Sequence, residues 1–256
     1  MMNYKEWKNI NEHMKNKFIN EEKTQVLKTF PNKDFINKME DNKIYKTLFS
    51  CIAVDIINSK NKLNEFDYEV WTKILSEFAF GITKIMKIYH VKYIKIQGDG
   101  IYGIFVSNTK EQIDKVLNCC VELNTFKTHL NKQIHKSLFN EKNGDEENNI
   151  LIDYGIGAWF SSENYISNIG SPKTRDIVFM GDAVNYANYL AKESGRNGME
   201  PILINQLLLE NITKEYKSNN KNVWDFIKEY QKINDEKIYG FSWIFTKYLN
   251  WINNNS

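Results

Sequence analysis

Lys95-Ile-Gln-Gly-Asp-Gly-Ile-Tyr-Gly-Ile-Phe105 is the stretch from which the fold can be read. Tyr93-Ile-Lys-Ile96 alternates apolar and polar residues, as a short strand does, and Ile101-Tyr-Gly-Ile-Phe-Val106 reads as a second strand. Gln97-Gly-Asp-Gly100 between them is rich in residues that accept positive φ, so the segment predicts a β-hairpin with Asp99 at its tip. A second carboxylate, Asp55, ends another apolar run, Leu48-Phe-Ser-Cys-Ile-Ala-Val54. Neighbouring strands would bring Asp55 and Asp99 together at one end of a sheet. That arrangement suits a pair of divalent cations acting on a polyphosphate. Gly-Asp-Gly is equally ordinary turn chemistry, so the weight falls on what surrounds the pair.

Upstream, residues 1–43 are polar and Lys/Asn-rich, with Trp7, Ile10, Met14, Phe18 and Ile19 at helical spacing. They predict one or two helices packed outside the core or on a partner. The first core strand falls within 44–58, and Asn58 or Ser59 can N-cap the segment after it. Val70, Trp71, Ile74, Leu75, Phe78, Ile82, Ile85 and Met86 give 67–89 one buried helical face. Downstream of the hairpin, 109–135 predicts a second long helix, with Ile113, Val116, Leu117, Cys120, Leu123 and Phe126 inward.

Residues 136–149 read as a polar loop and 150–158 as a strand, whose Gly155 and Gly157 imply close approach by a neighbour. An irregular stretch over 159–176 is expected next. Then come a short strand from Ile177, a glycine turn and a helix bearing Asp182 near its start, and Gly195-Arg-Asn-Gly198 ends that helix. Pro201–Asn205 reads as a strand, 206–216 and 222–231 as helices, and the aromatic-rich tail around 237–251 as ending in a strand. The order β-α-β-β-α-β with further αβ units fits an α+β fold with a ferredoxin-like (split βαβ) core.

Composition narrows the function classes. The 256 residues suffice for one large domain, or one domain with an extension, and are 42% hydrophobic and 26% charged, as in ordinary globular proteins. A net charge of +2 makes no strong demand for a polyanion. Arg175 and Arg196 are the sole arginines, which argues against nucleic-acid base readout. Cys51, Cys119 and Cys120 suit a reduced, cytoplasmic protein, and no zinc-type spacing occurs. The N-terminus lacks the apolar segment of a signal peptide, and no run of ~18 apolar residues predicts a membrane span.

Four segments in series carry a family resemblance: Ala53-Val-Asp-Ile-Ile-Asn-Ser59, Lys95-Ile-Gln-Gly-Asp99, Tyr154-Gly-Ile-Gly157 and Met180-Gly-Asp-Ala-Val-Asn-Tyr-Ala-Asn-Tyr-Leu190. Together they resemble the catalytic domain of class III nucleotidyl cyclases, over roughly residues 45–206. The chain then divides into an N-terminal helical extension, 1–43, and a cyclase domain, 44–256. The resemblance implies a head-to-tail homodimer with active sites at the subunit interface and a nucleoside triphosphate substrate. It also implies two metal ions per site, Mn2+ or Mg2+, held by Asp55, Asp99 and the Ile56 carbonyl. The backbone amides leading through Ile56, Ile57, Asn58, Ser59 and Lys60 into a helix would cradle the triphosphate. Asn185 matches the family's ribose-orienting asparagine, contributed by the opposite subunit.

This sequence also departs from the family. The transition-state arginine is expected four residues after Asn185, where Tyr189 stands. Lys192 and Arg196, seven and eleven residues after Asn185 and on about the same helical face, are the catalytic cations offered in its place. The two purine-reading positions hold Lys95 and Val178; lysine is the adenylate cyclase residue, but Val178 cannot be its polar partner. Gln97 is a further base-facing candidate. Lys237 is offered as the tail lysine that grips the triphosphate.

A short cyclase domain with an altered purine reader looks like the pyrimidine cyclases of the Pycsar anti-phage system, which make cyclic UMP or cyclic CMP and activate a separate effector protein. The alternatives are an adenylate cyclase, supported by Lys95, and a catalytically degenerate cyclase-like module for dimerisation or nucleotide sensing, supported by Tyr189.

Overall fold

A computed structural model of the chain describes residues 24–40, 43–139, 151–169, 176–219, 224–233 and 235–248, with 5, 6, 8, 9, 12 and 250. The strands are β1 (Gln25–Val26), β2 (Ile44–Ile56), β3 (Tyr93–Gln97), β4 (Gly100–Phe105), β5 (Tyr154–Ile169), β6 (Asp176–Gly181), β7 (Ile202–Asn205), β8 (Lys228–Ile233) and β9 (Glu236–Phe241). The helices are α1 (Lys33–Asn37), α2 (Ser59–Glu65), α3 (Tyr68–Ile88), α4 (Lys110–Phe139), α5 (Asp182–Glu193), α6 (Gln206–Glu210) and α7 (Lys214–Asn219).

Among the described residues the strands form one sheet in the order β3-β4-β2-β5-β7-β9-β8, with β1 added to β2 and β6 to β5. The first four strands and helices α3 and α4 reproduce the split βαβ core: β3-β4-β2-β5 is the ferredoxin-like order, with every neighbouring pair antiparallel. β2 lies between β4 and β5 and is covered on both faces. Its six consecutive buried residues, Phe49–Val54, reflect that position.

One face packs on α3 and α4. Trp71, Ile74, Phe78, Ile82 and Met86 from α3 and Ile113, Val116, Leu117 and Leu123 from α4 meet Ile52, Val54, Ile101 and Phe105 of the sheet. Asp67 N-caps α3 by accepting from the Val70 amide at 2.8 Å. The opposite face packs on α5, whose Ala183, Val184, Ala187, Leu190 and Ala191 meet Cys51, Ala53, Ile104 and Trp159. Phe30, Ile36 and Met39 from the segment before β2 join this second cluster, and β1 pairs with β2, so residues 24–40 are not helices outside the core as expected but a strand and a short helix whose apolar residues complete it.

Several expectations are corrected. The stretch 159–169 is not irregular: β5 continues to Ile169. Its Ser161, Asn164, Ser167 and Asn168 are buried yet partnered, so polar residues stand where an apolar run would mark a strand. Asn164 donates to the Phe49 and Ser161 carbonyls at 3.2 and 2.6 Å and accepts from the Ala183 amide at 2.9 Å. It thereby fills the register shift between Thr47 and Phe49.

Residues 206–216 form two helices rather than one. Asp114 accepts from the Thr213 amide and hydroxyl at 2.9 and 2.7 Å, and Thr213 in turn accepts from the Tyr216 amide, which starts α7 afresh. The expected helix over 222–231 gives way at Lys228 to β8, because pairing with β9 overrides local propensity. The tail begins, rather than ends, in a strand. Beyond β9, Asn124 donates to the Trp243 carbonyl and the Phe245 amide donates to Thr125, so the aromatic tail packs back on α4.

Helix α4 continues to Phe139, into the expected loop; the rest of that loop, 140–149, lies outside the described residues, as do Trp7, Ile10, Met14, Phe18, Ile19 and Arg175.

Candidate active site

The hairpin closes as its sequence predicts. Gln97 pairs with Gly100, leaving Gly98 and Asp99 as a two-residue turn with Gly98 at φ 63°. Glycine at the first central position is what a type II′ hairpin turn demands. Gly100 pairs in turn with Asp55, and Asp55 with Gly155. One rung across the sheet is therefore Gln97–Gly100–Asp55–Gly155. Two residues away, on the same face by strand alternation, comes Lys95–Tyr102–Ala53–Gly157. This is the face that carries α5. A Cβ on Gly155 or Gly157 would lie 2.2 Å from the Ala191 or Ala187 carbonyl oxygen, so both glycines admit the helix backbone directly onto the strand.

Asp55 and Asp99 are thus adjacent at one end of the sheet. Burial pushes the Asp55 carboxyl above the ordinary carboxylate range, the Asp99 charge adds to the rise, and Arg196 and Lys192 oppose it. Such a pair of carboxylates attracts a cation, and the chain itself supplies one. The Arg196 Nη2 donates to Asp55 Oδ2 at 3.0 Å and to the Ile56 carbonyl at 3.3 Å. Its Nη1 donates to the Ala191 carbonyl at 3.0 Å and lies 3.5 Å from the Ser194 carbonyl. Two of the three groups expected to hold a metal, the Asp55 carboxylate and the Ile56 carbonyl, therefore already hold a guanidinium, and in that chemical sense they suit a cation. Among the described residues no group of three or more His, Cys, Asp or Glu side chains is placed to hold a metal ion.

The other candidates fall in several places. Asn58 occupies the N-cap position of α2 in the left-handed region, φ 56°, with no side-chain cap bond, so its side chain does not close the helix end. The Ile57 amide is committed to the Asp153 carbonyl at 2.8 Å, which leaves Asn58, Ser59 and Lys60 as the cradle candidates. Asn185, Tyr189 and Lys192 lie exposed along α5. Ala191 stands over Gly155 and Ala187 over Gly157, so Asn185 lies further along α5 from its own Asp55 than Lys192 does.

Arg196 does not continue that stripe. α5 ends at Glu193, Ser194 is extended, and the chain turns at Gly195 (φ 71°), which aims Arg196 back at β2 of the same chain. Lys237 bonds Glu229 in the β8–β9 hairpin. It lies four residues along β9 from Phe241, which is paired to Ile202 near the Asp55 end, so roughly 13 Å of strand separates it from that level.

Sequence reading missed one residue. Lys95 Nζ bonds Asp176 Oδ2 at 2.5 Å. The contact raises the lysine and lowers the aspartate from their ordinary pKa values. Asp176 lies two residues before Val178 on β6, hence on the same side of the strand. Period-two alternation was the signal that could have found it. Tyr93 and Phe179, ring centroids 4.7 Å apart, hold β6 against β3 beside this pair.

No protein-family model matches the chain. A uridylate cyclase from Treponema porcinum is 24% identical over 221 residues, which cover 84% of this chain and 71% of that protein. A uridylate cyclase from Micromonospora echinofusca is 26% identical over 164 residues, covering 63% of this chain and half, 50%, of that protein's length. Among solved structures, the guanylyl cyclase Cya2 matches with a TM-score of 0.58 at 17% identity, covering 78% of this chain and 92% of that one. The adenylyl cyclase CyaB from P. aeruginosa matches with a TM-score of 0.54 at 17% identity, covering 77% and 94%. The split βαβ sheet and these likenesses give the chain the α+β fold of the class III nucleotidyl cyclases, and its sequence is similar to uridylate cyclases.

Proposed function

We propose that the chain is a nucleotide cyclase that converts UTP, or failing that CTP, to the 3′,5′-cyclic nucleotide and pyrophosphate. The observation that carries the reading is the meeting of Asp55 and Asp99 at one sheet end, with a cation on Asp55 and the Ile56 carbonyl, in a cyclase fold. The curated relatives are named uridylate cyclases, which supports UTP.

In this reading Asp55, Asp99 and the Ile56 carbonyl would hold two divalent ions, manganese or magnesium, that would acidify the ribose 3′-hydroxyl and neutralise the triphosphate. The amides of Asn58, Ser59 and Lys60 bind phosphate oxygens. The 3′-oxygen attacks the α-phosphorus in line and pyrophosphate leaves. Lys95 donates to a base oxygen and Asp176 accepts from the neighbouring ring N–H, a pairing that uracil's O4 and N3–H satisfy; Gln97 lies one rung nearer the metals and Val178 packs alongside.

Asn185 comes from the second subunit of a homodimer and orients the ribose, and Lys192 supplies cationic charge in place of the arginine missing at Tyr189. The catalytic unit is 44–256, with 1–43 as an extension. The setting is the cytoplasm, and the product acts as a messenger to a separate effector protein in anti-phage defence. Among the described residues no helix is long and apolar enough to cross a membrane.

One observation favours a second reading. Lys95 bonded to an acid is the adenylate cyclase arrangement, reached through Asp176 rather than through Val178. Incubation with Mn2+ and each of ATP, GTP, CTP and UTP, with mass identification of products, separates the readings. Cyclic UMP is expected. Cyclic AMP would establish the second reading. No product from a folded dimer would indicate a degenerate nucleotide-binding module.

A further inference from the structure

We propose that Arg196 is a tethered cation that competes with the divalent ion for Asp55 and Ile56, so that metal binding must displace it. The inference rests on the metal-binding reading of Asp55, and adds a residue that sets how much metal the site demands.

Three features of the contact support it. The guanidinium Nη2 engages both oxygens at once, Asp55 Oδ2 and the Ile56 carbonyl, at 3.0 and 3.3 Å. The ion pair is well shielded, with Arg196 and Asp55 side chains 23% and 18% exposed, so its attraction is screened less than that of a surface pair. The guanidinium is also pre-positioned, because Nη1 is held by the Ala191 carbonyl where α5 ends, and carbonyls at a helix C-terminus favour a cation. A divalent ion on the same oxygens meets a fixed positive charge and must push it aside. Arginine cannot yield by losing its proton, since its pKa lies far above neutrality. It can yield only by moving, and Gly195 and Gly198, both at positive φ, flank its short segment.

The device differs from a transition-state arginine on the neighbouring subunit, because Arg196 serves the Asp55 of its own chain. Without metal it neutralises the carboxylate and ties the end of α5 to the end of β2. With metal bound, the guanidinium is released beside the site.

The test is Mn2+ binding by the full-length chain without nucleotide, monitored through the paramagnetic resonance of the free ion. Arg196→Met is expected to bind Mn2+ about tenfold more tightly than the unaltered chain, the equivalent of one charge-assisted hydrogen bond. Asp55→Asn is expected to lose the site in both backgrounds. Unchanged or weaker Mn2+ binding by Arg196→Met, with Asp55→Asn still abolishing it, would overturn the competition and leave Arg196 as a clamp between α5 and β2. Undiminished binding by Asp55→Asn would instead remove the metal reading itself, and the competition with it.

A second measurement needs no variant and decides the matter should Arg196→Met fail to fold. Phenylglyoxal modification of the native chain, mapped by peptide mass to Arg196 as distinct from Arg175, is expected to accelerate when Mn2+ is added. An unchanged rate at saturating Mn2+ contradicts displacement.

Discussion

At the scale of single residues, the site is a problem of charge. Burial and the Asp99 charge raise the Asp55 carboxyl, and Arg196 and Lys192 oppose that rise. Asp55→Ala and Asp99→Ala are each expected to lower turnover by at least about 10²–10³-fold, the scale on which removal of one preorganised electrostatic group is felt. The elution position on a sizing column should be that of the unaltered protein, because both residues sit at the rim of the sheet rather than in its core. Asp176 carries a different prediction. Removing its carboxylate leaves Lys95 without its acceptor and, in the proposed reading, takes one polar contact from the base. Asp176→Ala should therefore lower kcat/KM for the preferred nucleotide about tenfold to a hundredfold. Val178→Ala, beside it, should leave kcat/KM nearly unchanged. Equal effects of the two changes would show that β6 matters for packing alone.

At the scale of elements, the seat of α5 on β5 is the most demanding contact. A methyl group on Gly157 would stand 2.2 Å from the Ala187 carbonyl oxygen and 2.4 Å from the Ala191 nitrogen, both backbone atoms that cannot rotate aside. Gly157→Ala should cost stability at the upper end of the about 1–3 kcal/mol typical of overpacking, read as a lower denaturant midpoint. At the β7–β9 contact, Glu236 accepts from Asn205 at 2.6 Å, yet burial raises its pKa, with Asp182 and Glu210 adding to the rise. A carboxyl whose folded pKa is raised destabilises the fold where it is ionised. The penalty fades as pH falls through the folded value toward the unfolded one. Glu236→Gln keeps an acceptor for Asn205 and should stabilise the chain at neutral pH while removing that acid-side gain. Thermal midpoints across the acidic range of both proteins check the sign.

At the scale of the whole molecule, the question is which residues belong to one site. Arg196 meets Asp55 within one chain, whereas Asn185 is exposed on α5 and further from its own Asp55. If sites form between subunits, an Asp55→Ala chain and an Asn185→Ala chain are individually inactive but complement each other in a mixed dimer, where one site regains both residues. Recovery of up to about half the unaltered activity per heterodimer is expected, from one intact site of two. A verified heterodimer without activity would count against shared sites.

Much of this was legible in the sequence because it is local. Glycine in a two-residue turn, apolar faces at helical spacing and two glycines under a helix are each set by the covalent chemistry of a few neighbours. That is why the hairpin, α3 and α4 could be expected from the sequence, whereas the Asp55–Asp99 juxtaposition followed only on the condition that their strands were neighbours. The features hidden from the sequence depend on partners far along the chain. β5 runs on past Trp159 because Asn164 finds the Phe49 carbonyl, 115 residues away, and a buried polar side chain reads as a loop until its partner is known. β8 is a strand because β9 returns beside it. Lys95 finds its acid on β6, 81 residues on, and Arg196 leaves the face of α5 to reach Asp55, 141 residues back. Local pattern sets which elements form and which residues can do chemistry. Which charge answers which is decided by tertiary packing, because electrostatic pairing depends on distance in space, which separation along the chain does not reveal.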